Sequence, residues 1–178
     1  MKVKNYVEEI ELPQGVTAQL INNVLHIKGK NGEIKREFNE KKVAIVIEGN
    51  VIKLNVPLLR KNEKTVVSTM ASHINNMILG AQQNYVYKLK ICSGHFPMNV
   101  AVSNTEFTIK NFIGEKKPRL LKLVKGVQVK VEGEVIVVES NSVELAGMTA
   151  GAIERLASRP GFDKRVFQQG IFITDKPM

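Results

Sequence analysis

A single cysteine, Cys92, stands among the 178 residues, so no intramolecular disulfide can form, and a reducing compartment is expected. Tryptophan is absent and aromatic residues make up only 6%, too few for a surface that stacks many bases. No run approaches the ~20 apolar residues of a membrane span, and the start, MKVKNYVEEIELP, lacks the apolar stretch of a signal peptide. A soluble, cytoplasmic protein is the expectation. His26, His73 and His95 show no ligand spacing, and one cysteine adds little, so no metal site is expected. There is no Walker loop and no dinucleotide fingerprint, and no cofactor is expected. In KICSGHFP, Cys92 and His95 could be imagined as nucleophile and base, but Cys92 at a strand end reads as a small buried hydrophobe. No two carboxylates bracket an apolar pocket. The expectation is a protein that is not an enzyme.

Acidic residues are also in short supply, 17 against 26 Lys and Arg, which gives a net charge of +9. A basic balance points toward phosphate-bearing partners, because Lys and Arg displace condensed counterions. Residues 1–84 carry +4 and residues 85–178 carry +5, so bulk charge does not choose between the halves.

The chain reads as two copies. IVIEGNVIKLN (45–55) and VKVEGEVIVVE (129–139) are both apolar runs folded about a Gly-polar step, with Gly49 and Gly133 84 residues apart. Val127, Val129 and Val131 alternate with polar residues, the period of a strand with one buried face. Gly at the first central position predicts a two-residue type II′ hairpin in each copy. Upstream, LHIKGKNGE (25–33) parallels FTIKNFIGE (107–115), and Asn31-Gly32 predicts a type I′ turn. Downstream, Val67, Met70, Ala71, Ile74, Met77, Ile78 and Ala81 recur at helical spacing, with Gly80 near a natural stop. Asn141 with Glu144 resembles a capping box ahead of a second stripe, Leu145, Ala152, Ile153 and Leu156. The predicted fold is α+β: two similar domains from an internal duplication, 1–84 and 85–178, each of small, mostly antiparallel sheets plus one main helix.

Arginines of the second half gather in two places. GEKKPRLLKLVKG (114–126) holds Lys116, Lys117, Arg119, Lys122 and Lys125 against one Glu. ERLASRPGFDKR holds Arg155 and Arg159, four apart on one helix face, then Lys164 and Arg165 after a turn. Guanidinium forks suit phosphate oxygens. The apolar ending VFQQGIFITDKPM reads as a final strand that holds Gln168, Gln169 and Gly170 beside the basic turn. Amides there can bond sugar hydroxyls or base edges, and a glycine permits close backbone approach.

Taken together, these stretches resemble the archaeal and eukaryotic branch of the large-subunit ribosomal protein L-six family. The resemblance is carried by Asn76-Met77-Ile78, Gly80, Tyr87-Lys88 and His95-Phe96-Pro97, then by IKNFIGEK (109–116), ESNSVELA (139–146) and RVFQQGIFITDK (165–176). Lys30, Phe162, Gln169 and Phe172 depart from the family pattern. The resemblance implies a structural ribosomal protein that binds large-subunit rRNA mainly through its second domain. It further implies a place near the sarcin–ricin loop and stalk base, close to where translational GTPases dock and among neighbouring ribosomal proteins. Matched to the family motif, Lys110, Asn111, Gly114, Lys116, Lys117, Arg165 and Gly170 are the candidate rRNA contacts. Charge and geometry add Arg119, Arg155, Arg159 and Lys164, and the amides add Gln168 and Gln169. Two rival readings are a tandem protein-interaction module, whose binding would ignore salt and nuclease, and an RNA-modifying enzyme, which would need a pocket of perturbed acids or a nucleophile.

Overall fold

The computed structural model describes residues 3–94, 96–163, 165–166 and 168–177. The chain falls into two compact units, 1–84 and 85–178.

In the first unit, β1 (Val3–Glu11), β6 (Val51–Leu59) and β5 (Ala44–Glu48) form an antiparallel sheet in the order β1-β6-β5. Ile52, Leu54 and Val56 lie two apart on β6, so all three point to the same face and are buried there. β5 and β6 are joined by Gly49-Asn50, where Gly49 takes φ +59, as the first position of a type II′ turn requires. A second sheet is built from β2 (Thr17–Ile21), β3 (Val24–Gly29) and β4 (Gly32–Glu37), with Leu25 and Ile27 fully buried. Helix α1 (Lys61–Gln82) packs its apolar stripe, Val67 to Ala81, against both sheets. It runs through Gly80 and ends two residues later, without a glycine cap.

The hairpin between β3 and β4 turns on Lys30-Asn31, one residue earlier than the Asn-Gly signal indicates. A tertiary anchor overrides the local preference. The Asn31 N–H donates to Ala81 O at 2.9 Å, and its side-chain amide donates to Gly80 O and Asn84 Oδ1 at 3.2 and 2.6 Å. The bonds to Ala81 and Gly80 satisfy carbonyls that the end of α1 would otherwise leave open.

The second unit repeats this plan and adds to it. Its first sheet is β8 (Asn99–Val102), β9 (Glu106–Lys110) and β10 (Arg119–Lys122), in the order β10-β9-β8. Its second contains β7 (Tyr85–Cys92), β12 (Val135–Ser140) and β11 (Gln128–Glu132), the counterparts of β1, β6 and β5. The extra element is β13 (Gly170–Asp175), which pairs antiparallel with the outer edge of β7. Along β1 no strand occupies that edge among the described residues. Helix α2 (Val143–Leu156) lies against β7, β12, β13 and β10. Its N-cap is Ser142, whose hydroxyl accepts from Leu145 N at 3.5 Å, so the cap falls one residue after the expected Asn141. Phe107, Ile109, Leu89, Ile136, Val138 and Ile153 fill the core without measurable exposure. Every strand pairing among the described residues is antiparallel, and the fold is α+β with two similar halves.

Candidate nucleic-acid interface

The loop between β9 and β10 and the stretch between α2 and β13 meet at one end of the second unit. The loop is held in a conformation its residues seldom choose. Asn111, Ile113 and Gly114 have φ of +58, +49 and +75. Asparagine and glycine tolerate that region, but a β-branched isoleucine does so only under constraint. Two constraints are visible. The Asn111 amide donates to Pro97 O at 3.0 Å, which fixes the entry. The exit is fixed by Arg119, whose Nε and Nη2 donate to the Glu115 carboxylate at 2.8 and 2.6 Å.

Arg119 also crosses to the helix. Its Nη1 donates to Leu156 O at 2.6 Å and to Ser158 O at 3.0 Å, and its guanidinium lies 4.2 Å from the Phe112 ring centroid. Four of its five N–H groups are thereby used inside the protein. Arg119, expected from its charge to meet RNA phosphate, serves within the protein as a clasp that ties the loop to the end of α2. One of its partners, Leu156 O, is a carbonyl that the terminus of α2 leaves open, so a cation there is doubly favoured. The hydrogen bonds from Arg119, with help from the charges of Arg119 and Arg159, hold the Glu115 carboxyl below its ordinary pKa.

Near the clasped loop stand Arg155 and Arg159. Arg155 and Arg159 are exposed on the last turn of α2 and just beyond it. The Arg155 Nε donates to Gly151 O at 3.2 Å, and the Arg159 guanidinium stacks 4.6 Å from the Phe162 ring centroid. Arg165 is 90% exposed at its side chain and pairs with Asp163, at 3.0 Å from Nη2 to Oδ2. Bonds from the Arg165 side chain and backbone lower the Asp163 pKa. Lys110, Lys116 and Lys117 are exposed, as are Gly114 and Gln168, while Asn111 and Gln169 are half-buried. Lys164 lies outside the described residues, as does His95, the imagined partner of Cys92.

Gly170 does not serve the purpose expected of it. It is buried at the start of β13, and a Cβ there would stand 3.1 Å from Ala157 O and 3.1 Å from the Phe172 ring. Its missing side chain lets β13 pack against the end of α2, so the close approach is within the protein. The residues that sequence reasoning passed over are Phe112, Ile113, Glu115 and Phe162. Glu115 and Arg119 stand at i and i+4, a spacing that pairs opposite charges on a helix but says nothing certain of a loop. Nothing in local sequence signals the φ of Ile113.

Among the described residues no group of His, Cys, Asp and Glu could hold a metal ion. No helix among them is long and apolar enough to cross a membrane.

Comparison with known proteins bears on both halves. The family described as Ribosomal protein L6 matches residues 12–84 and again residues 96–170, one block in each unit. A large ribosomal subunit protein uL6 of Saccharolobus solfataricus is 42% identical over 170 residues, which is 95% of this chain and 94% of the relative. Those of Sulfurisphaera tokodaii and Methanosarcina mazei are 39% and 38% identical, over 99% and 98% of this chain and 95% and 99% of their own lengths. The family is one of structural proteins, not enzymes. With both repeats matched and relatives aligned over 95% or more of the chain, the chain belongs to the ribosomal protein L6 family.

Proposed function

We propose that the chain is a structural constituent of the large ribosomal subunit, ribosome-bound in the cytoplasm, which binds large-subunit rRNA chiefly through residues 85–178. The observation that carries this reading is the near full-length match to proteins named as uL6 of the large subunit. The second unit is favoured as the anchor because Arg155 and Arg159 line a cleft with Ile113 of the loop that carries Lys116 and Lys117, and Arg165 is exposed on the stretch that follows α2. Binding is electrostatic docking with shape fit: exposed Lys and Arg neutralise phosphates, and the clasped loop keeps their spacing fixed. The same reading places the protein near the sarcin–ricin loop and stalk base, among neighbouring ribosomal proteins and close to the docking region of translational GTPases.

The test is the salt dependence of binding between the purified protein and large-subunit rRNA. If Lys110, Lys116, Lys117, Arg155, Arg159 and Arg165 each meet a phosphate, log K falls against log salt with a slope of about −4 to −5. Small-subunit rRNA should compete at least about tenfold less well. A flat salt response, or equal competition by the two rRNAs, contradicts the proposal.

A further inference from the structure

Beside the clasp a cleft of about 170 Å³ opens between the end of α2, the β9–β10 loop and the start of β13. It is smaller than the ~300–1,000 Å³ of pockets that take small-molecule ligands, and it has room for about one ring system. Its walls combine Ile113, Phe162 and Phe172 with Arg155, Arg159 and Gln169. We propose that this cleft seats one unstacked base from a loop or bulge of the rRNA. The inference rests on the rRNA-binding reading and deepens it.

Three features of the wall meet what an extruded base requires. The Arg159 guanidinium over the Phe162 ring, 4.6 Å from its centroid, makes a flat cationic and aromatic ledge. Bases stack on aromatic and guanidinium faces alike, without need of a particular sequence. Gln169 lines the same cleft, and a side-chain amide carries the kinds of group that read a base edge. Arg155 and Arg159, exposed at the rim, can hold the phosphates on either side. A duplex does not fit, because a paired base cannot leave its stack to enter.

The far wall is Ile113, the residue held at φ +49. Strain of this kind persists where the surroundings over-determine it, and such places cluster at binding sites. Here the Asn111 bond to Pro97 and the Glu115–Arg119 pair hold the loop, so the apolar wall is set before RNA arrives.

Phe162→Ala, in the full-length protein, tests the seat. Affinity for large-subunit rRNA should fall roughly tenfold, the size of one lost stacking contact, with the salt slope unchanged. In base-specific chemical probing, one unpaired nucleotide should regain reactivity while its neighbours stay protected. Gln169→Ala, which leaves the Arg159–Phe162 stack in place, should expose that same nucleotide. Circular dichroism of both variants should match the parent. A loss of affinity accompanied by a slope smaller by about one means that Phe162 only steadies Arg159 on a phosphate, and overturns the seat. Unchanged affinity and reactivity in both variants, with the parent still binding in a salt-dependent way, overturns the seat and leaves the rRNA reading standing. Failure of the parent to bind rRNA overturns both.

Discussion

Substituting Arg155, Arg159 and Arg165 together by alanine is expected to weaken binding to large-subunit rRNA about a hundredfold at about 0.15 M salt. Each cation that meets a phosphate releases most of one counterion, which at that salt contributes about 0.8–1 kcal/mol. Three such contacts come to roughly 2.5 kcal/mol, close to two powers of ten. The slope of log K against log salt should shrink by about two to three. The fold should survive, because all three side chains are exposed. What they lose within the protein is small: one bond from Arg155 to Gly151 O, one ring stack of Arg159 and the surface pair of Arg165 with Asp163. Equilibrium binding at several salt concentrations, with circular dichroism as a folding control, makes the measurement. A folded triple variant with parental affinity contradicts the assignment of these arginines to RNA.

Arg119→Ala should act in the opposite order, on the fold first and on RNA second. The side chain gives up two bonds to Glu115, two to the Leu156 and Ser158 carbonyls and its contact with Phe112. Hydrogen bonds to charged groups contribute about 1.5–3 kcal/mol each. The sum is not reached, because Arg119 is 23% and Glu115 32% exposed, and water can return to the vacated oxygens. A loss of about 2–3 kcal/mol from the second unit is the expected result. Since a chain of two units need not unfold in one step, hydrogen exchange followed separately at α2 and α1 is the suitable readout. Exchange should speed at α2 and stay unchanged at α1. rRNA affinity should drop as well, because the loop that carries Lys116 and Lys117 is no longer tied to the helix. Arg119→Lys separates the clasp from a phosphate contact. Lysine keeps the charge but cannot reach a carboxylate and two carbonyls at once. It should therefore lose most of the stability that alanine loses. A lysine variant as stable as the parent would show that charge alone matters at this position.

The parts legible in the sequence were those governed by neighbours along the chain. The alternation at Val127, Val129 and Val131 and the glycines at 49 and 133 led directly to β11 and the two hairpins, since period and turn chemistry act over a few residues. The helical stripe from Val67 to Ala81 became the buried face of α1 for the same reason. Long-range partners were not legible. Arg119 and Ser158 are 39 residues apart, and only the packing of α2 on β10 brings them together. Asn31 left its expected turn position for a bond to the end of α1, 49 residues on. Gly170 looked like a place for RNA to approach, and the strand against α2 takes that space instead. Hydrophobicity assigns Val166 to the last strand, yet it is 72% exposed and β13 begins four residues later. The cleft shows the same limit: its walls come from three separated stretches, and the strained Ile113 carries no local mark.

The central claim is that this protein works as a fixed part of the large ribosomal subunit. Sedimentation of native lysate through a sucrose gradient, with the protein detected by antibody and parallel samples treated with ribonuclease, tests it most directly. The account predicts stoichiometric migration with the large subunit, lost after extensive digestion. Migration as a free 19.9 kDa protein in both samples would contradict it.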